Sequence, residues 1–142
     1  MAVLIDTSFL LAVSSPKDQN HRQARDAMKS LRNGRVIPVP VLPELFYMLL
    51  TRVNYGTAVR VFNTIRTGAF QIEALTRDDL ARMVEIMNEY GDNKFDFTDT
   101  AIMALSERLD IGTIYTFDRR DFNAFRPRHR EYLRLLPAPS KP

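Results

Sequence analysis

Short apolar runs rich in β-branched residues recur along this chain, and each is separated from the next by a stretch whose apolar positions have helical spacing. Val3-Leu4-Ile5, Val36-Ile37-Pro38-Val39, Phe70 to Leu75 and Thr113 to Phe117 read as strands, with a last short strand near Tyr132 to Leu135. Helices are predicted from about Lys17 to Leu31, stopped by Asn33-Gly34, and from Pro43 at a first helical position to Val53. Three more are predicted: Ala58 to about Arg66 behind a Thr57 cap, a capping-box helix from Thr76 to about Tyr90, and one from about Phe97 to Leu109. Such alternation implies a parallel sheet covered by helices on both faces, joined by right-handed crossovers. The segment from Leu45 to Val53 is apolar nearly all round and is expected to be buried. Thr7 and Ser8 read as turn chemistry after the first strand.

At 142 residues the chain is expected to form a single domain over residues 1–136, followed by a disordered tail from Pro137 to Pro142. Its longest apolar stretch, Leu45 to Leu50, is too short to span a bilayer. Met1 to Asp6 lacks the basic start of a signal peptide, so a cytoplasmic location is expected. There is no Cys, which excludes disulfides, thiolate zinc sites and Cys nucleophiles. The net charge of +3 comes almost entirely from arginine, whose fork matches phosphate oxygens. A slightly basic soluble surface would give the same figure.

Four of the element boundaries carry an acid. Asp6 and Asp118 close apolar strand-like runs, so both should reach the carboxyl edge of the sheet, where open α/β folds bind ligands. A plain turn or N-cap role would also account for Asp6. Glu44 lies in a helix's first turn, where an acid complements the macrodipole, yet the rest of that helix looks buried and should turn Glu44 inward. Asp96 and Asp99 lie three apart at a helix start. Asp96 suits a cap, whereas Asp99 aligns with Ile102, Met103 and Ser106 on the flank of the apolar stripe. Thr116 shares a strand face with Asp118 and is placed to bond a neighbouring carboxylate. Converging acids repel, by roughly 4 kcal/mol for a pair at about 4 Å with an effective dielectric near 20. Either some stay protonated or a cation offsets the repulsion, and oxygen-only donors favour Mg²⁺ or Mn²⁺ over Zn²⁺.

Six arginines crowd the segment after Asp118: Arg119, Arg120, Arg126, Arg128, Arg130 and Arg134, interleaved with Phe122, Phe125 and Tyr132. They are candidates for holding a polyanion, with a second basic strip at Arg22, Arg25, Lys29 and Arg32, although basic strips also bind acidic proteins. Phe122 is expected in the core, Asp121 and Glu131 in surface ion pairs, His21 packed on its helix, and His129 facing solvent or phosphate. The chain has no GxxxxGK[ST], GxGxxG or GxSxG, which disfavours nucleotide-binding loops and a serine hydrolase. Position 8 is Ser, not the second acid of an Asp-x-Asp phosphatase motif, and no Lys stands at a late strand end as a receiver domain needs.

Asp6-Thr7-Ser8 after the first strand, Pro43-Glu44 opening an apolar helix, Phe97-Thr98-Asp99-Thr100-Ala101, and Thr116-Phe117-Asp118-Arg119-Arg120-Asp121-Phe122 together resemble the PIN domain. Their order and spacing are similar to those of the VapC-type toxins of prokaryotic toxin–antitoxin pairs, from Val3 to about Phe125. The resemblance implies a three-layer α/β/α sandwich with a short parallel sheet and Mg²⁺- or Mn²⁺-dependent endoribonuclease activity on RNA. It places the family's acidic quartet on Asp6, Glu44, Asp99 and Asp118, with Asp6, Asp99 and Asp118 on the metal and Asp96 as an extra acid. Where the family commonly reads Asp-Ala, this chain has Asp99-Thr100, which adds a hydroxyl. A homodimer and a small inhibitory antitoxin are implied as partners. The alternatives are a catalytically silent PIN-like module binding RNA or protein, and a housekeeping RNA-processing nuclease.

Overall fold

The computed structural model describes residues 1–139; residues 140–142 of the expected tail lie outside the described residues. The elements run β1 (Val3–Ile5), α1 (Thr7–Ser14), α2 (His21–Ser30), β2 (Arg35–Pro38), α3 (Val41–Arg52), α4 (Tyr55–Thr67), β3 (Phe70–Glu73), α5 (Arg77–Glu89), α6 (Phe97–Arg108), β4 (Thr113–Tyr115), α7 (Arg120–Ala124) and β5 (Arg134–Leu136). All strand pairings are parallel, in the order β3-β2-β1-β4-β5. The chain winds outward from β1 to β3, then crosses back to lay β4 and β5 on the other side of β1. Right-handed crossovers therefore put α1 to α4 on one face and α5 to α7 on the other. The packing agrees: α1 touches α2 and α3, α3 touches α4, and α6 touches α5 and α7. The order reverses at β1, with Leu4 opposite Val36 on one side and Ile114 on the other. A crevice opens there at the carboxyl ends of the strands.

The central strand is buried along its length, and burial of a side chain such as Leu4 or Ile5 contributes roughly 1.5–3 kcal/mol. The helix enclosed on all sides is α6, buried continuously from Thr98 to Ser106. This corrects the expectation for Leu45 to Val53. In α3 only Val41, Leu45 and Leu49 are buried, one stripe at four-residue spacing, while Tyr47 is 66% exposed. That helix forms a hairpin with α4 that lies against the body of the fold by one face only.

Thr7 and Ser8, read as turn chemistry, open a helix instead, α1, which runs on to Ser14. Its Phe9, Leu10, Leu11 and Ala12 are all buried, so the sequence lacks the polar face that marks an amphipathic helix. Three starts also move, with α2 beginning at His21 and not near Lys17. The α3 helix begins at Val41, which puts Pro43 third and not first; α4 begins at Tyr55 because Asn54, not Thr57, caps it, its Oδ1 accepting the Thr57 N–H at 2.7 Å. The capping box at Thr76 forms as expected with Asp79. Gly34 turns the chain from α2 into β2 at φ +70°, and a Cβ there would lie 2.4 Å from the Met1 carbonyl oxygen.

Side-chain pairs fix the second helical layer. Glu107 accepts two bonds from Arg82, at 2.7 and 3.1 Å, and the Arg128 backbone N–H at 2.9 Å. Arg108 donates to Asp79 at 2.8 Å and to Glu73 at 3.1 Å. Burial alone would raise the Asp79 pKa, but the Arg108 guanidinium and the Thr76 donors hold it below the usual carboxylate range. Beyond the last helix, Arg119 donates to the Leu135 carbonyl at 3.2 Å and also to the Pro137 carbonyl, and Gln23 donates to the Ala138 carbonyl at 2.7 Å. No helix among the described residues is long and apolar enough to cross a membrane.

Candidate active site

The crevice at β1 is lined with carboxylates. Asp6 follows β1 and caps α1, its Oδ1 accepting the Thr7 N–H at 2.8 Å. Its Oδ2 accepts the Thr116 hydroxyl at 2.7 Å and the Ser8 hydroxyl at 3.1 Å. The Thr116 oxygen in turn accepts the Asp118 N–H at 3.0 Å, and the Ser8 oxygen accepts the Phe117 N–H at 2.9 Å. Two hydroxyls thus stitch the segment after β4 to the segment after β1. Burial pushes Asp6 up to about 6, against the lowering bonds from Thr116, Thr7 and Ser8, and the Glu44 charge adds to the rise.

Asp99 stands in the first turn of α6, only 6% exposed. Asp96 is the cap, accepting the Asp99 N–H at 2.8 Å, and the Thr100 hydroxyl is turned away onto the Asp96 carbonyl at 2.6 Å. The Asp99 carboxyl itself receives no hydrogen bond among the described residues. Burial, then the charges of Asp6, Asp96, Asp118 and Asp121, push it up to about 9. Asp118 is raised too, by burial first and then by Asp121 and Asp96, with Arg120 opposing. Glu44 comes from α3, half-buried: it faces the crevice, not the interior.

Asp6, Glu44, Asp96, Asp99 and Asp118 line one cleft of about 200 Å³, together with Thr7, Ser8, Asp18, Asn20, Met48, Arg52 and Phe117. All five expected acids are in that lining, and Thr116 stands behind Asp6. Asp18, Asn20 and Arg52 were not anticipated. The signal for Arg52 was present, since Glu44, Met48 and Arg52 recur every four residues on one helix face. Asp18 and Asn20 sit in a loop with no periodicity to expose them.

The C-terminal arginines lie elsewhere. Arg126 donates to the Asn123 and Phe125 carbonyls, Arg128 pairs with Glu85, and Arg130 with Asp110. Arg119 holds the C-terminal segment, which leaves Arg120 as the member whose charge is felt by Asp118. Phe122 is buried as expected. Asp121 and Glu131 form no ion pair among the described residues; the Asp121 charge instead acts on Asp99 and Asp118. His129, expected to face solvent or phosphate, is half-buried: Nε2 donates to the Ile111 carbonyl at 2.9 Å, and Nδ1 is buried without a partner among the described residues. His21 docks α2 on α1 by donating from Nδ1 to the Ala12 carbonyl at 2.7 Å.

The cleft has the chemistry of a hard-cation site. Its donors are oxygens, no Lys or His lines it, and six carboxylates face a single cation, Arg52. The Thr7 hydroxyl is buried and has no partner among the described residues. Among the described residues no three acidic or imidazole side chains close on a point as they stand. Carboxylates arrayed round a cleft suit Mg²⁺, which keeps several of its waters, better than an all-protein cage.

Known proteins resemble this chain over most of its length. The model of the PIN domain family matches residues 3–126. Ribonuclease VapC26 of Mycobacterium tuberculosis is 30% identical over 125 residues, covering 88% of this chain and 93% of that protein. Among solved structures, M. tuberculosis VapC20, described as a Sarcin-Ricin loop cleaving toxin, superposes with a TM-score of 0.78 at 22% identity, over 83% of this chain and 91% of its own. VapBC2 of Rickettsia felis, bound to a DNA fragment from its promoter, gives 0.71 at 15% identity, over 96% and 98%. A toxin–antitoxin complex from Klebsiella pneumoniae gives 0.67 at 21%, over 85% and 90%. The family match over most of the chain and the VapC relative covered almost end to end settle the affiliation: the chain belongs to the PIN-domain family, as a ribonuclease of the VapC type.

Proposed function

We propose that this chain hydrolyses RNA phosphodiester bonds internally with Mg²⁺ or Mn²⁺, as the toxin of a toxin–antitoxin pair acting in the cytoplasm. The observation that carries the reading is Asp99: a buried carboxyl with no donor, facing other acids across a cleft. An uncompensated acid in that setting is costly unless a cation joins it. Asp6, Asp99 and Asp118 are the residues that would hold the ion, directly or through water. A divalent ion there supplies acidified water and positive charge for the phosphoryl oxygens. Thr116 and Ser8 keep Asp6 oriented and ionised, and Asp96 holds the first turn of α6 so that Asp99 faces the cleft. Glu44, from α3, completes the acidic cage or orients the attacking water.

The antitoxin and the homodimer are proposed on the likeness to Ribonuclease VapC26 and to a chain solved in a toxin–antitoxin complex. The test is cleavage of a labelled RNA. Activity should vanish in EDTA and return with Mg²⁺ or Mn²⁺. Chelator-resistant cleavage overturns the metal assignment, and salt-sensitive RNA binding with no cleavage in Mn²⁺ identifies a silent binding module instead.

A further inference from the structure

From the carboxylates outward, positive charge continues in one direction. Arg52 ends α3, two helical turns or about 12 Å along the axis from Glu44 on the same wall of the cleft. It is exposed and forms no ion pair among the described residues, although six acids share the lining. Beside it in that lining is Asn20, the residue before α2, whose carboxamide makes no cap bond to the helix. The α2 helix thus starts at the cleft wall, and its next basic residues, Arg22, Arg25 and Lys29, edge one shallow depression with Asp26 as the single acid. None of these three is in an ion pair among the described residues. The arginines of the C-terminal segment contrast with them: Arg119, Arg126, Arg128 and Arg130 are each engaged by a carbonyl or a carboxylate.

We propose that single-stranded RNA leaves the carboxylate centre over Arg52 and Asn20 and continues along the Arg22–Arg25–Lys29 face of α2. Arg52 grips a phosphate that is not the one cut, Asn20 bonds the adjoining sugar or base edge, and α2 holds the backbone farther out. These are positioning residues, and the assignment rests on the ribonuclease reading above. A contact to a non-scissile phosphate adds binding without touching the reacting atoms, so it should act on KM and on salt dependence.

The experiment uses the full chain and a labelled single-stranded RNA of roughly 12 nucleotides, with anisotropy for binding and gel assays for cleavage, each over a salt series. Arg52→Ala and the double change Arg25→Ala/Lys29→Ala should weaken binding and raise KM by roughly three- to tenfold with kcat nearly kept. Each should also flatten the dependence of log K on log salt by about 0.7 per contact removed. Arg52→Lys should recover part of the loss, and the melting temperature should not move because these side chains are exposed. Wild-type KM and salt slope in Arg52→Ala overturn the proposal, as does a loss confined to kcat. A loss found in Arg126→Ala or Arg128→Ala in place of the α2 changes does so as well. RNA that binds with this residue dependence but is never cut in Mg²⁺ or Mn²⁺ would leave the track standing and remove the ribonuclease reading alone.

Discussion

The protonation of two buried acids makes the metal-free protein sensitive to pH. Folded Asp99 keeps its proton to about 9 and folded Asp6 to about 6, against 3.8 for an ordinary aspartate. Between the ordinary and the raised value the folded state binds more protons than the unfolded one. Stability is therefore full in acid and falls as pH rises through that window. In EDTA the melting temperature should drop steadily from about pH 5 to about pH 9. Asp99→Asn should flatten that slope, raise the melting temperature near pH 8 and abolish cleavage. A destabilised Asp99→Asn would instead make the side chain a structural cap. Thr116→Val removes the hydroxyl that donates to Asp6 and accepts from the Asp118 N–H. It should cost roughly 1–3 kcal/mol in denaturant titration. Because that donor lowers the Asp6 pKa, the acid limb of the activity profile should move to higher pH.

Among the elements, the contact between α5 and α6 can be weakened without entering the cleft. Glu107, half-buried beneath Arg82 and the Arg128 N–H, is the hub. Glu107→Ala should lower unfolding free energy by roughly 1–3 kcal/mol while kcat measured well below the melting temperature is retained. A matching fall in kcat would show that this contact governs the position of Asp99 as well. The same helices show which elements the sequence disclosed. Strands β1, β2 and β4 were readable because buried parallel strands are continuous apolar runs, and α5 because Thr76 and Asp79 form a capping box. The α1 helix was not, since burial on every side erased its polar face, and α7 is too short at five residues to carry a period. Asp6, Glu44, Asp96, Asp99 and Asp118 were legible from their boundary positions. Arg52 was signalled by its four-residue spacing from Glu44 and Met48, whereas Asn20 depends on how the loop before α2 meets α3 in space, which no local pattern encodes. Several of the arginines after Asp118 are likewise engaged by carbonyls and acids from distant elements, which the sequence does not display.

Taken whole, the molecule stores repulsion in its cleft and should be steadied by whatever cation enters. Mg²⁺ or Mn²⁺ at about 100 times its Kd should add about 2.7 kcal/mol of stability by mass action, with the gain lost in Asp99→Asn. Calorimetry with and without metal measures this directly, and an unchanged wild-type melting temperature contradicts it. The far rim of the sheet bears on the cleft too. Strand β5 lies past residue 126, where the family match stops, yet Leu136 accepts the Thr116 N–H at 2.8 Å and Leu135 accepts the Arg119 side chain. The segment carrying Asp118 is thus braced on one side by β5. A protein expressed only to the family boundary would leave that aspartate on a frayed rim, and its failure to cut RNA would be mistaken for missing chemistry when what it lacked was a buttress.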